Sequence, residues 1–547
     1  MTMRFYISLI LSVFIFNMSY AIQVYGDVFG TWSAENNPYE VIGDLHVPRC
    51  STLVIEPGCY IDFQGYYTLI VDTSATLRAI GNETDSIIFT ASDTTGGWHG
   101  LKFFSASDNC EIAYSIVEWG KVFSGPHPED RPDGGGGIYI DNTCMVVSHS
   151  TIRDNNVIEG SGGGILAYNS EIVVNNCIFR RNLGSLCPGY ATGGGGISCV
   201  NSEVIITSNV FDSCSVFCSI GGATGGAILI SQSSGVLIEN NVFKNNRCTR
   251  FGGAICFELL YTNNAVIANN IITNNYAVGY GDLLGGGGIF LYFCQSVIVK
   301  GNLIAYNHSG WLGGGIGKVQ SNIIAYDNTI FGNSAYYYGG GYFSLNYGND
   351  TLYNNIIYNN SAGEHPQLLI SDTCLVTYSC IEGGWPGEGN IDVDPMFIDP
   401  DGGDFHLRWD NFPIDDETKS PCIDAGAPWS PLDPDSTRAD IGALSFDQHV
   451  GIDDNYDILP HRIRLEQNYP NPFNASTTIS YSLPQASSVT LDIYDILGRK
   501  VQTLYNGYQP AGEYAKILLD KDLSSGIYFY KLTAGEYQQT RKMTLIK

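Results

Sequence analysis

Apolar and polar residues in the middle of this chain alternate in short runs that return again and again. Each run opens after two glycines and a third small residue: Gly135-Gly136-Gly137 leads into Ile138, and the same arrangement precedes Ile165, Ile197, Ile228, Ile255, Ile289, Ile316 and Tyr342. The intervals between them are 27, 32, 31, 27, 34, 27 and 26 residues. One supersecondary unit therefore recurs with insertions of variable length, which is the signature of a solenoid. Within each run inward and outward residues alternate over about four positions, as in Ile228-Leu229-Ile230 and Ile289-Phe290-Leu291. That is strand periodicity, so the coils of the solenoid are built from strands.

A second repeat lies inside the first. Asparagines five residues apart bracket an apolar step at Asn241 and Asn246, Asn270 and Asn275, Asn302 and Asn307, Asn328 and Asn333, and Asn355 and Asn360. In coils stacked about 4.8 Å apart each Asn falls over its neighbour, and the side-chain amides bond along the stack. The plainer reading, that Asn and Gly only mark turns, accounts for their type but not their phase. A parallel, in-register stack accounts for both. The expected inward stack is Ile138, Ile140, Ile165, Ile197, Ile228, Ile230, Ile255, Phe257, Ile289, Leu291 and Ile316, with Ile272, Ile304, Ile330 and Ile357 from the Asn-flanked steps. Roughly a dozen coils give a rod near 60 Å long.

These features resemble bacterial right-handed parallel β-helix repeat proteins, and the resemblance runs from about residue 45 to 446. Thr52-Leu53-Val54-Ile55-Glu56-Pro57-Gly58 and Gly97-Trp98-His99-Gly100-Leu101 are similar to their first coils. Asn390 to Phe397, Ser420 to Gly426 and Asp440-Ile441-Gly442-Ala443 are similar to their closing segment. The resemblance implies architecture; it supplies no catalytic residue.

The first 21 residues have a basic start at Arg4, an apolar run from Phe5 to Phe16 and small residues at Ser19 and Ala21, the grammar of a cleaved signal peptide. The run is too short for a membrane span, and no later stretch reads as one. The 15 cysteines suit an oxidising destination. Cys187 and Cys218 each lie ten residues before the isoleucine that opens a coil, so they occupy the same turn of adjacent coils and are expected to form a disulfide. A formal net charge of −28 argues against nucleic acid as a partner and keeps an extracellular rod soluble.

After about residue 447 the repeat stops. Alternating segments at Thr478–Leu483, Val489–Tyr494 and Gly526–Leu532, with turns between them, predict a small immunoglobulin-like β-sandwich. Its wording is specific: Gln467-Asn468-Tyr469-Pro470-Asn471-Pro472-Phe473-Asn474, Ile493-Tyr494-Asp495, Leu497-Gly498-Arg499, Ser525-Gly526-Ile527-Tyr528 and a terminal Lys542 to Lys547. It resembles the C-terminal sorting domain of type IX secretion substrates. The resemblance implies passage through the outer-membrane secretion machinery, followed by release or attachment at the cell surface. The expected plan is a signal peptide (1–21), an N-terminal cap (22–48), the β-helix (49–385), a capping segment (386–446), a linker (447–464) and the sorting domain (465–547).

Candidate chemistry is sparse. Glycoside hydrolysis needs two carboxyl groups about 5 to 9.5 Å apart, and the best local set is Glu129, Asp130 and Asp133 before Ile138 with Glu159 before Ile165, beside His127 and Arg131. Acidic residues in a solvated turn are ordinary, so catalysis is the secondary reading, with a polysaccharide lyase or glycoside hydrolase as its form. The turns that precede the glycines also hold Tyr190, Phe217, Phe251, Tyr276, Tyr280, Trp311, Tyr336, Tyr337 and Tyr338. Aligned on one edge of the rod, aromatic faces suit sugar rings; packed on one another, they are only a structural ladder. Asp392, Asp394, Asp399, Asp401 and Asp404 in the closing segment are a weak calcium set, or caps of their own turns; no cofactor is otherwise expected. The leading expectation is a secreted or surface-attached protein that binds carbohydrate without chemistry of its own. A purely structural surface component is the third class.

Overall fold

The computed structural model describes residues 21–448 apart from 124–133, 159, 186–191, 219–221, 261–264, 280–284, 346–349 and 372, and residues 463–545 apart from 466, 475, 485–486, 497, 510–511, 520–522 and 536. The expected signal peptide therefore lies outside the described residues, except for Ala21. The chain divides into two compact units, Met1–Gln448 and His449–Lys547.

The first unit is a β-solenoid whose coils pair in parallel, followed by one antiparallel pair, Phe397–Asp399 with Asp404–Leu407, in the closing segment. A repeating coil begins with the strand that follows the glycines, such as Ile197–Val200, and continues through a second strand, Glu203–Thr207, a third, Val210–Asp212, and a short fourth, Ser215–Phe217. Each pairs in parallel and in register with its counterpart one coil later: Ile197 with Ile228, Ile206 with Ile238, Phe211 with Phe243, Ser215 with Arg247. The second strands alone form a 13-stranded stack reaching from Gly30–Trp32 to Leu375–Thr377. The residues expected as an N-terminal cap already pair in this way, Ile22–Asp27 in parallel with Tyr39–Val47.

Every residue of the expected inward stack is fully buried. Each such side chain contributes roughly 1.5–3 kcal/mol of transfer free energy. Along the third strands Ile152 is followed by rings, Phe179 on Phe211 at 4.7 Å and Phe211 on Phe243 at 4.8 Å between centroids, and isoleucine returns at Ile272. One inward position breaks the pattern. Lys318 lies in register between Leu291 and Ser344, wholly buried, and its Nζ sits 2.8 Å from Asp350 Oδ1. Asp350 also accepts the Tyr342 hydroxyl at 3.0 Å and the Ile323 N–H at 3.2 Å, so the charge taken out of water is paired and bonded.

The corners explain the asparagines. The residue before each takes a left-handed backbone, φ 57° at Asn240 and 58° at Asn245, and the next residue turns its amide into the coil. Asn270 donates from both its backbone N–H and its Nδ2 to Asn302 Oδ1, each at 2.9 Å, and Nδ2 also donates to the Ile238 carbonyl at 3.0 Å. The same contact runs from Asn209 through Asn241, Asn270, Asn302 and Asn328 to Asn355. The other corner runs from Asn246 through Asn275, Asn307, Asn333 and Asn360 to Gln367. At a further corner, between the first and second strands, Thr143, Ser170, Ser202 and Ser233 do the same work with hydroxyls.

The glycines close the coil. Gly162 adopts φ +66°, and a Cβ on Gly163 would lie 2.6 Å from the carbonyl oxygens of both Gly195 in the next coil and Leu183 in its own fourth strand. No side chain fits where the fourth strand returns to the first.

The closing segment covers the last coil through a separate apolar cluster of Ile356, Leu407, Trp409, Ile423 and Ile441, which shields strand edges that would otherwise invite further pairing. The second unit is antiparallel apart from one parallel bridge, Phe473 to Leu545. Ser476–Leu483 pairs with Gly512–Leu519, and Ser487–Tyr494 lies between Lys500–Gln509 and Gly526–Ala534, which pairs with Tyr537–Leu545. Leu491, Ile493, Tyr530, Leu532 and Met543 fill its core. The residues expected to mark it are structural pins: Gln467 Nε2 donates to the Lys542 carbonyl at 2.8 Å, and Asn471 Oδ1 accepts the Thr544 N–H at 2.9 Å.

Candidate functional site

The fourth strand is short, and it alternates like any strand. Its inward residues Val216, Cys248 and Ala277 are buried, so its outward residues face solvent in a row with one member per coil. Arg247 lies opposite Tyr276, Tyr276 opposite His308 and His308 opposite Ser334. The Arg247 guanidinium stands 5.0 Å from the Tyr276 ring centre and 5.8 Å from that of Phe217 in the preceding coil. Tyr276 stacks on His308 at 4.8 Å, and His308 Nδ1 shares a hydrogen bond with Ser334 Oγ at 2.7 Å. Burial lowers the His308 pKa, which favours the neutral ring.

The row continues into the turn beyond. Trp311 stacks on Tyr337 at 4.9 Å, and the edge of Tyr336 meets Tyr337 at 4.6 Å. Phe217 is 40%, Tyr336 66% and Tyr337 39% exposed, so the rings stack along the rod and still offer their outer parts to solvent. Of the sequence-predicted aromatic residues, Phe217, Tyr276, Trp311, Tyr336 and Tyr337 share this face, while Tyr190 and Tyr280 lie outside the described residues. Phe251 does not belong to it. It is buried under the Arg250 guanidinium and against Phe290, as part of a second apolar layer outside the first strands with Leu229 and Cys256.

Arg247 was not singled out by its sequence. Other arginines of the solenoid are ion-paired, Arg78 with Glu111, Arg153 with Glu118, Arg180 with Asp212 and Arg181 with Asp154. Arg247 has no carboxylate within ion-pair distance among the described residues and is held flat between two rings. The register of the fourth strands was the available signal, since it sets Arg247 over Ser215 and under Tyr276.

The catalytic candidates Glu129, Asp130, Asp133 and Glu159 lie outside the described residues, as does Cys187 of the expected disulfide with Cys218. The acidic closing segment is not drawn together. Asp392 accepts the Gly383 N–H, Asp394 the Met396 N–H, Asp399 the Gly402 N–H and Asp404 the His406 N–H, so each is bonded to main chain. Asp401 is exposed. No three His, Cys, Asp or Glu side chains converge as a metal site among the described residues. Sequence reading missed a different acidic group. Burial pushes Asp327 and Asp433 up to about 6 and Asp440 up to about 7, although Asp440 Oδ1 accepts the Asp424 N–H and Oδ2 the Phe446 N–H.

No helix among the described residues is long and apolar enough to cross a membrane. A family model for the right-handed β-helix region matches residues 69–258 and 218–383, and one for the secretion-system C-terminal sorting domain matches residues 467–547. Neither the curated proteins nor the solved structures contain a match to the chain. The sorting domain marks the chain for secretion or display at the cell surface, by engagement with the secretion machinery. With more than half of its length matched, a parallel solenoid of stacked coils and a terminal sorting domain, this chain belongs to the right-handed β-helix family and is a secreted member of it.

Proposed function

We propose that the solenoid is a non-catalytic binding or adhesion module for carbohydrate, presented at the cell surface after export led by the N-terminal signal peptide and the type IX sorting domain. The observation that carries this reading is the outward row of Phe217, Arg247, Tyr276 and His308, one on each of four successive coils, extended by Trp311 on the His308 coil and by Tyr336 and Tyr337 on the next. Flat rings with exposed outer parts receive the apolar faces of sugar rings. Arg247, with no carboxylate partner among the described residues, offers several N–H donors to sugar oxygens at a point fixed by its neighbours. The strand spacing places such a contact on each coil, which suits a chain ligand lying along the rod.

The test is a polysaccharide panel on the protein freed of residues 465–547, scoring retention on immobilised glycan and release of new sugar ends. Retention without cleavage, reduced at least tenfold by Trp311→Ala with Tyr337→Ala, supports the module. Cleavage abolished by Asp133→Asn or Glu159→Gln makes the protein a polysaccharide-degrading enzyme and overturns the proposal. Silence in both assays leaves a structural surface component.

A further inference from the structure

The closing segment meets the last coil at a pair of sulfurs. Cys380 belongs to the strand Cys380–Ile381, which pairs with Ile356 at the end of the stack. Cys422 lies in the closing segment between Ser420, whose hydroxyl donates to the Pro395 carbonyl at 2.6 Å, and Ile423. The carbonyl of Cys422 accepts the Ile441 N–H at 2.9 Å. Both cysteines are completely buried in the cluster of Ile356, Leu407, Trp409, Ile423 and Ile441. The structure holds both as free thiols of this one cluster; the neighbouring Cys380 thiol, together with burial, pushes the Cys422 thiol up, and Cys380 Sγ donates to the Val393 carbonyl at 3.1 Å.

Two thiols that share one buried apolar cluster, one from the last coil and one from the closing segment, are chemically unlike the single buried thiols of the coils. Cys199, for example, occupies an inward stack position and serves as a small hydrophobe. We infer that Cys380 and Cys422 are a disulfide site, which staples the closing segment to the last coil when the chain matures outside the cytoplasm. In forming it the two thiols lose two protons and two electrons and gain an S–S bond. The oxidant is the disulfide of an exported thiol–disulfide oxidoreductase, whose own S–S bond breaks and takes up those electrons and protons through a mixed-disulfide intermediate. Since neither sulfur is exposed in the closed structure, exchange occurs while the closing segment is still undocked. Docking then seals the bond away from reductant. The bond closes a loop over residues 381–421, which restrains the part of the chain that covers the last strand edge.

The experiment uses the full chain recovered from the culture medium or cell surface. It is unfolded in denaturant with an alkylating maleimide and no reductant, then digested and mapped by mass spectrometry. The expected result is one peptide pair joined through Cys380 and Cys422 that separates on reduction, and Cys422→Ser releases Cys380 for labelling. Alkylation of both cysteines before reduction, or linkage of either to another cysteine, overturns the inference. A second readout addresses the staple itself: after unfolding in reductant and refolding without reoxidation, protease cleavage within residues 395–446 is roughly tenfold faster than in the oxidised protein. An unchanged cleavage rate with the bond reduced overturns that part.

Discussion

Two rows of side chains flank the fourth strand of each coil, and they obey opposite rules. At the corner that leads into it, Asn246, Asn275, Asn307, Asn333 and Asn360 repeat one residue type with one bonding pattern. On its outer surface Ser215, Arg247, Tyr276, His308 and Ser334 occupy equivalent positions with no residue type kept from one coil to the next. A buried amide must bond to its neighbour, so the neighbour must be the same. A solvated position answers only to the coil beside it and to whatever binds there. Uniformity therefore marks what holds the solenoid up, and variety at fixed register marks where function is free to sit.

The sharpest challenge to that contrast is Lys318, a variable residue at a buried position. Lys318→Met alone strands Asp350 as an uncompensated buried charge and costs about 3–5 kcal/mol, measured by urea denaturation. Lys318→Met with Asp350→Asn returns stability to within about 1–2 kcal/mol of the parent, because a paired buried charge is close to neutral against an uncharged replacement. Next in size is Asn302→Ala. It removes the acceptor for two donors of Asn270 and leaves the Ile267 and Lys300 carbonyls without the Asn302 amide. A loss of roughly 2–4 kcal/mol is expected. A loss below about 0.5 kcal/mol would show the amide ladder to be ornamental.

A smaller effect comes from the closed end. Asp327, Asp433 and Asp440 titrate higher in the folded chain than in the unfolded one, so the folded state binds more protons between about pH 4 and 7. Stability contributed by these groups is full below the unfolded carboxylate pKa and is lost as pH rises through about 6 to 7. Hydrogen exchange in residues 420–446 should accordingly slow as pH falls from 8 to 5, after correction for intrinsic rates, and Asp440→Asn should flatten the trend. Smallest of all is Tyr337→Ala. Its ring is 39% exposed, and its removal costs under about 1 kcal/mol of stability while weakening glycan retention. A large drop in melting temperature would move this row from binding to support.

The inward stack was legible because burial imposes a phase: Ile228, Ile255, Ile289 and Ile316 share one position, and all are buried. The amide ladders were legible for the same reason. Lys318 was implied by the register that placed Leu291 inside, yet its charge hid it, since nothing local announces that Asp350 waits 32 residues later. Phe251 was misplaced because an aromatic residue in a turn reads alike whether it faces solvent or folds back over the first strands. Only the second apolar layer with Phe290 decides between them. Arg247 escaped because its distinction is the lack of an acid within reach, and sequence spacing does not measure that.

The amide ladders have one more property, which is direction. Within these two buried ladders every Asn-to-Asn bond runs from the donor of one coil to the oxygen of the next, from Asn209 toward Asn355 and from Asn246 toward Gln367. The stack is therefore a vector, with acceptors offered at its beginning and donors at its end. Its two ends are complementary to each other and not to themselves, so bare rods would add head to tail and never head to head. The protein meets its final donors internally, with Gln367 Oε1 taking those of Asn360 and Asn390 Oδ1 taking that of Ser379. In terms of assembly, the closing segment is a chain terminator for a polymer that the repeat would otherwise continue.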